Sequence, residues 1–431
     1  MTRHNQTIRS TSMHMAGIAL LFVAAGVAVS TLVSLFNQRV DSVSLLLATV
    51  IVGFAGLLLF TSTKLGKTDQ ASIFTAVGTT WLIVSLFGTI PYLLAGTFSR
   101  TGIGIPEVFV DSLFESVSGF TASGSTVFGA HNPIEMQGSG ILFYRQLTQW
   151  MGGMGIVILV VSVLPSLRAS GLGLIDAEAP GAGVERIAPR VVETAKKFWY
   201  VYLSLTVFIA LALFLFGMGP FDAVSHALTT ASTGGFSTKD SSLGHWNSIK
   251  IEMVVMLGFL LAAINFTLHA RSIEKKRFNY ASDSEFKSFM GLIAVGVLII
   301  TLLFKLEGFS FGTALRNASF NVVTLATSGG YGNALGRGES GDFASWPGST
   351  QLLLLFFIVI GGCTGSTSGG AKIMRFRIGI AHAYRILRSI RRPSALIRAR
   401  MGNKTIPDSL VERVAGFVVI YGILVVSGTF I

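Results

Sequence analysis

The chain has 431 residues, of which 51% are hydrophobic and only 13% charged, and its mean hydropathy is +0.66. Those proportions exclude an ordinary soluble protein, whose charged fraction is about a quarter. The net charge of +12 would suit a nucleic-acid binder, but its placement points to membrane topology instead.

Apolar runs near 16–36, 43–62, 72–95, 141–164, 198–217, 251–268, 288–304 and 414–431 each come close to one bilayer crossing, which needs about 20 residues. No short apolar core with a small-residue cleavage site follows Met1, so 16–36 reads as a retained span rather than a signal peptide. With the N-terminus cytoplasmic, Arg3, Arg9, Lys64 and Lys67 and the basic residues of 166–197, 271–287 and 372–413 lie inside. Arg39, Arg100, Arg145, Lys239, Lys250, Lys305, Arg316 and Arg337 fall outside or on the opposite, loop-bearing side, as the positive-inside rule requires. Cys363 is the one cysteine, which rules out a disulfide framework and a cysteine metal cluster.

After an opening two-helix hairpin (1–70), the pattern becomes span, half-helix, polar glycine loop, span. It occupies 71–197, 198–287 and 288–410, and 411–431 supplies the first span of a fourth unit. The expected fold is an all-α integral membrane protein. Its pseudo-fourfold repeats surround a central pore, the N-terminal hairpin is additional, and the fourth repeat is truncated. The loops contain Thr121, Ala122, Ser123 and Gly124; Thr233, Gly234 and Gly235; and Ser328, Gly329 and Gly330. Aligned on Gly124, Gly235 and Gly330, the half-helices place Asp111, Asp222 and Asn317 in register, and nearer the loops Glu115, His226 and Asn321. A short helix that enters the membrane and returns as a glycine loop is the re-entrant unit of a cation pore, with exposed carbonyls replacing an ion's hydration shell. Glycine permits the backbone conformations this needs, and the negative end of each half-helix favours a cation. Tight turns or small-residue packing positions are the plainer reading of one such loop, but three in register favour a filter. Glu115, His226 and Asn321 read better as hydrogen-bonding anchors than as ion ligands.

Residues 361–370 interrupt another expected span with Gly361, Gly362, Cys363, Thr364, Gly365, Ser366, Thr367, Ser368, Gly369 and Gly370. The apolar run before them, 352–360, is too short to cross. Irregular backbone at that depth is tolerated where it lines an aqueous cavity, so the segment is a candidate gating loop, the alternative being a packing kink. Lys372 follows as a possible pore-side cation or a side chain snorkelling to the cytoplasmic interface. From 375 to 404 an Arg-rich helical stretch with Ile378, Ile380, Tyr384, Leu387 and Ile390 would suit anionic lipid, an acidic partner, or the positive-inside rule alone. The seven histidines are scattered, and neither clustered carboxylates nor a phosphate-binding glycine loop appears, so an enzyme is not expected.

Three stretches then resemble the Trk/Ktr/HKT superfamily, nearest its TrkH-type membrane subunits: FYRQLTQWMGGMGI from Phe143 to Ile156, AEAPG from Ala177 to Gly181 with Pro189-Arg190 and ETAK from Glu193 to Lys196, and the glycine-rich 361–370. The extra N-terminal hairpin is also a TrkH-type feature. The resemblance implies potassium uptake through a pseudo-fourfold pore with one filter glycine per repeat, here Gly124, Gly235 and Gly330. It implies K+ held at the filter residues, a gating loop at 361–370, a homodimer among membrane lipids of the inner membrane, and no nucleic acid. A cytosolic, TrkA-like regulatory ring would be a separate subunit, and nucleotide (NAD or ATP/ADP) would bind only there, with no cofactor on this chain. In plant members a serine at the first glycine accompanies sodium preference, so Gly124 points to potassium. A Na+-permeable or ion-coupled relative, or a non-conducting scaffold, is the alternative. The family's fourth pore loop and last inner helix would follow Ile431. The chain is therefore expected not to conduct selectively alone, and the native product to continue for on the order of 50 residues.

Overall fold

The computed structural model describes residues 2–37, 41–64, 70–99, 102, 104–169, 191–391, 398–401 and 404–429. The AEAPG and Pro189-Arg190 motifs lie outside the described residues. Helices α1 (Thr2–Phe36) and α2 (Ser42–Ser62) form the N-terminal hairpin, α1 beginning well before its apolar run. They approach so closely that a Cβ on Gly17 would stand 2.7 Å from the Phe60 amide nitrogen. In lipid, helices gain little by hiding apolar surface from one another, so small residues and close contact hold them together. The outer face of α2 displays Leu46, Val50, Phe54 and Leu57.

One order of elements then recurs. Helices α3 (Gln70–Phe87) and α4 (Ile90–Leu94) lead to the short α5 (Ile105–Phe120), a loop and α6 (Ser139–Ala169). Helix α7 (Val191–Leu215) leads to α8 (Pro220–Ala231), a loop, and the pair α9 (Ile249–Ala262) and α10 (Phe266–Lys275). Helix α11 (Ser284–Leu306) leads to α12 (Phe311–Ala326), a loop, α13 (Gly348–Ile360) and α14 (Ile373–Arg391). Helix α15 (Asp408–Thr429) comes last of the described elements. Pro106 and Pro220 open α5 and α8, where the missing N–H costs nothing, and the Ser310 hydroxyl caps α12 by accepting from the Thr313 amide at 3.2 Å. At 16, 12 and 16 residues, these three helices rise about 24, 18 and 24 Å and cannot cross the hydrocarbon. Among the described residues six helices are long and apolar enough to span, with the α9–α10 pair a seventh by length and composition. The core has two main parts: the hairpin with α3–α6 around Tyr92, Phe120 and Tyr144, and α7–α13 around Phe259, Phe289 and Tyr331.

Two expectations fail. The run 251–268 is not one continuous helix: α9 stops at Ala262, and α10 leaves at 93°. Asn265 caps α10, its side chain accepting from the Thr267 amide at 2.8 Å, while the carbonyls freed at the break find partners in distant segments. Nor is 375–404 helical throughout. Helix α14 ends at Arg391, and β1 (Arg400–Met401) pairs antiparallel with β2 (Lys404–Thr405).

Candidate functional site

The three short helices end in the same backbone figure. Ala122, Thr233 and Ser328 take left-handed φ of 53°, 53° and 60°, and Gly124, Gly235 and Gly330 take 77°, 78° and 76°. The amides of Ser123, Gly234 and Gly329 each donate five residues back, to Ser118, Thr229 and Thr324, at 3.0, 2.8 and 2.7 Å. Those of Ala122, Thr233 and Ser328 donate three residues back, to Gly119, Thr230 and Leu325. This is a Schellman ending with a non-glycine residue in the left-handed position, a strain of about 1–2 kcal/mol per loop.

The loops meet edge to edge. A Cβ on Gly124 would stand 2.2 Å from the Gly234 carbonyl oxygen, and one on Gly235 would stand 1.6 Å from that of Gly329. Each contact is backbone against backbone, so no rotamer change could relieve it. The carbonyl oxygens of Gly234 and Gly329 thus lie against the glycines of the neighbouring loops.

Polar groups on the short helices hold the chain leaving each loop. Glu115 accepts from the Thr126 hydroxyl at 3.0 Å and the Val127 amide at 3.2 Å. The His226 Nε2 pairs with the Ser237 hydroxyl at 2.9 Å, and Asn321 donates to the Asn333 side chain at 3.1 Å. One position set further back acts likewise, Asp222 accepting from Thr238 at 2.6 Å and Asn317 from Asn333 at 3.1 Å.

The Phe143–Ile156 motif lies on α6 at the seam between the first and second units. Tyr144 donates to the Gly88 carbonyl at 2.9 Å, and Trp150 donates to the Thr206 hydroxyl at 3.0 Å. Arg145, assigned by charge to the outside or the loop-bearing side, is buried and donates to Glu115 at 2.5 Å and to the Ser237 carbonyl at 2.8 Å. Gln149 reaches the second loop, and a Cβ on Gly152 would strike the Phe120 carbonyl at 2.0 Å. Of the ETAK segment on α7, the neighbouring Lys197 pairs with Glu274 of α10.

Residues 361–370 form a bonded loop without regular structure, its ends at Gly361 and Gly370 packed together. Its partner is the break after α9. The Cys363 amide donates to the Ala263 carbonyl at 2.9 Å, the Thr367 hydroxyl to those of Ala262 at 3.1 Å and Ala231 at 3.2 Å, and the Phe266 amide to that of Gly365 at 3.0 Å. Glu285, buried at the start of α11, accepts from the Thr364 amide at 2.7 Å and its hydroxyl at 3.0 Å. His269 bridges the Leu261 carbonyl and the Tyr280 hydroxyl at 2.8 and 2.9 Å. The Gly369 amide donates to the Ser328 hydroxyl at 2.6 Å, so the loop stands directly against the third glycine loop. Lys372, itself at a left-handed φ of 69°, folds its ammonium back onto the Ser366 and Ser368 carbonyls. Glu285, His269 and the Asn265 cap were missed in the sequence. Their only signal is a polar residue beside an apolar run.

Such a molecule is a multi-span membrane protein whose short, non-crossing helices deliver three like loops to one place. Its sequence matches the model of TrkH, a cation transport protein, over residues 45–430, and the chain belongs to that family. The Trk system potassium uptake protein TrkH of Halomonas elongata is 37% identical over 348 residues, 80% of this chain and 68% of that protein. TrkH of Vibrio parahaemolyticus is 36% identical over 354 residues, 80% and 69% of the two chains. TrkG of Escherichia coli is 33% identical over 349 residues, 80% and 68% of the two. The crystal structure of the potassium transporter TrkH from Vibrio parahaemolyticus aligns with a TM-score of 0.83 and 32% identity, covering 97% of this chain and 84% of that one.

Proposed function

We propose that this chain is the pore-forming subunit of a potassium uptake system in the cytoplasmic membrane. The observation that carries the reading is the meeting of three loops of one backbone figure, each at the negative end of a helix too short to cross a bilayer. Thr121–Gly124, Thr233–Gly235 and Ser328–Gly330 form the selectivity filter, and K+ sheds water there for backbone oxygen. Residues 71–197, 198–287 and 288–410 act as repeats around the axis. Residues 361–370 are the gate, and Lys372 is its pore-side cation, donating to the Ser366 and Ser368 carbonyls. The N-terminus is cytoplasmic, two copies associate, and a TrkA-like nucleotide-binding ring acts from the cytosol. Glycine at 124 and relatives named for potassium uptake favour K+ over Na+.

Radioactive rubidium and sodium fluxes in proteoliposomes test the reading. With the chain extended through a fourth repeat, rubidium uptake well above sodium uptake is expected, whereas the 431 residues alone are not expected to conduct selectively. Equal fluxes from the extended version would favour the Na+-permeable alternative, and no cation flux from it at all would remove the pore.

A further inference from the structure

The second loop is buttressed differently from the third. Behind Gly329 lies the ring of Phe259 from α9, which a Cβ on Gly329 would strike at 2.3 Å. Behind Gly234, in the same place relative to its loop, lies the side chain of Gln149 from α6, which a Cβ there would also strike at 2.3 Å. Gln149 is fully buried, and both ends of its amide are used. Nε2 donates to the Gly234 carbonyl at 2.8 Å, and Oε1 accepts from the Phe236 amide at 2.9 Å. Only one orientation of the amide satisfies both groups, so the side chain fixes the second loop at two backbone points flanking Gly235. One helical turn earlier, Arg145 donates to a carbonyl three residues further along, that of Ser237, and its guanidinium lies 3.6 Å from the centre of the Phe236 ring. Glu115 of the first short helix holds that guanidinium in place.

The Gly234 carbonyl has two neighbours. On one side is the Gln149 amide, and on the other is the backbone of Gly124 in the first loop. Moving that oxygen therefore changes the spacing between the first and second loops. We propose that Gln149, supported by Arg145, is a specificity-determining positioning residue that sets this spacing and with it the preference for K+ over Na+. It touches no ion and acts through the Gly234 carbonyl and the Phe236 amide. The inference rests on the filter reading above, and the two fail in different ways.

The test compares Gln149→Met, which keeps length and bulk without hydrogen bonds, with Gly124→Ser, each in the version that carries a fourth repeat. Two quantities are read: the rubidium-to-sodium flux ratio in proteoliposomes, and the difference in melting temperature between potassium and sodium buffers. Gln149→Met is expected to lower the flux ratio about tenfold, the effect of losing about one buried hydrogen bond's worth of discrimination, and to narrow the melting difference. Should that variant not yield folded protein, Gln149→Asn carries the test, because it remains polar but cannot span both backbone groups. Lower total flux or a lower melting temperature with both ion comparisons unchanged would make Gln149 merely structural and overturn the proposal. If Gly124→Ser moves the ratio and Gln149→Met does not, the positioning role falls and the filter stands. If neither moves it, the filter reading falls and takes the positioning role with it.

Discussion

Gly124 and Gly235 are constrained twice, by a positive φ and by a neighbouring backbone oxygen. Serine at Gly124 would meet the Gly234 carbonyl at 2.2 Å, and alanine at Gly235 would meet that of Gly329 at 1.6 Å. Gly124→Ser is thus expected to lower the rubidium-to-sodium flux ratio. Gly235→Ala is expected to abolish potassium-specific thermal stabilisation, which melting in potassium against choline buffer would read. Arg145 makes a separate case. Arg145→Met leaves the Glu115 carboxylate buried without its cation, at a cost of about 3–5 kcal/mol. The exposed Arg385–Asp408 pair bounds the comparison, since Arg385→Ala is expected to change stability by no more than about 1 kcal/mol. Thermal unfolding in detergent separates the two, and a small effect of Arg145→Met would show that water or a rearrangement reaches Glu115. The importance of Glu115, His226 and Asn321 was legible from their common register. That of Arg145 was not, because a lone arginine near the end of an apolar run reads as a topology signal until its buried partner is seen.

The half-helices and the broken span at 361–370 were legible as elements, because proline, glycine and short apolar runs act locally. The second break, after Ala262, was not. Ala262, Ala263 and Ile264 read as helix, and the groups that satisfy the freed carbonyls of Ala262 and Ala263 come from 361–370, far along the chain. The two interruptions are halves of one structure, with a bend in α9–α10 receiving the loop between α13 and α14. Glu285 is its most buried clasp on the far side, accepting two hydrogen bonds from Thr364. Glu285→Ala removes the oxygen that accepts both bonds and is expected to loosen the loop and raise rubidium flux severalfold, about 1 kcal/mol per lost bond being enough for that shift. Flux unchanged in a folded Glu285→Ala protein, with loop amide hydrogen exchange also unchanged, would show that this clasp does not restrain the proposed gate.

Across the whole molecule, the repeating order of elements could be read from hydropathy, but the seams between units could not. The Phe143–Ile156 stretch is the main seam: Tyr144, Arg145, Gln149 and Trp150 each bond a different neighbour, and that role has no local signature. Orientation rests on charge alone. Arg9→Cys is expected to react with an impermeant thiol reagent only from the cytoplasmic side, and Arg337→Cys only from outside; the reverse would invert the topology. The central claim is that cations lose water where Gly124, Gly235 and Gly330 converge. Anomalous diffraction from crystals grown with rubidium or thallium in place of potassium tests this most directly. A peak within coordination distance of backbone oxygens from all three loops is the expected result. Ordered loops without a peak there, and with the ion bound elsewhere, would contradict it.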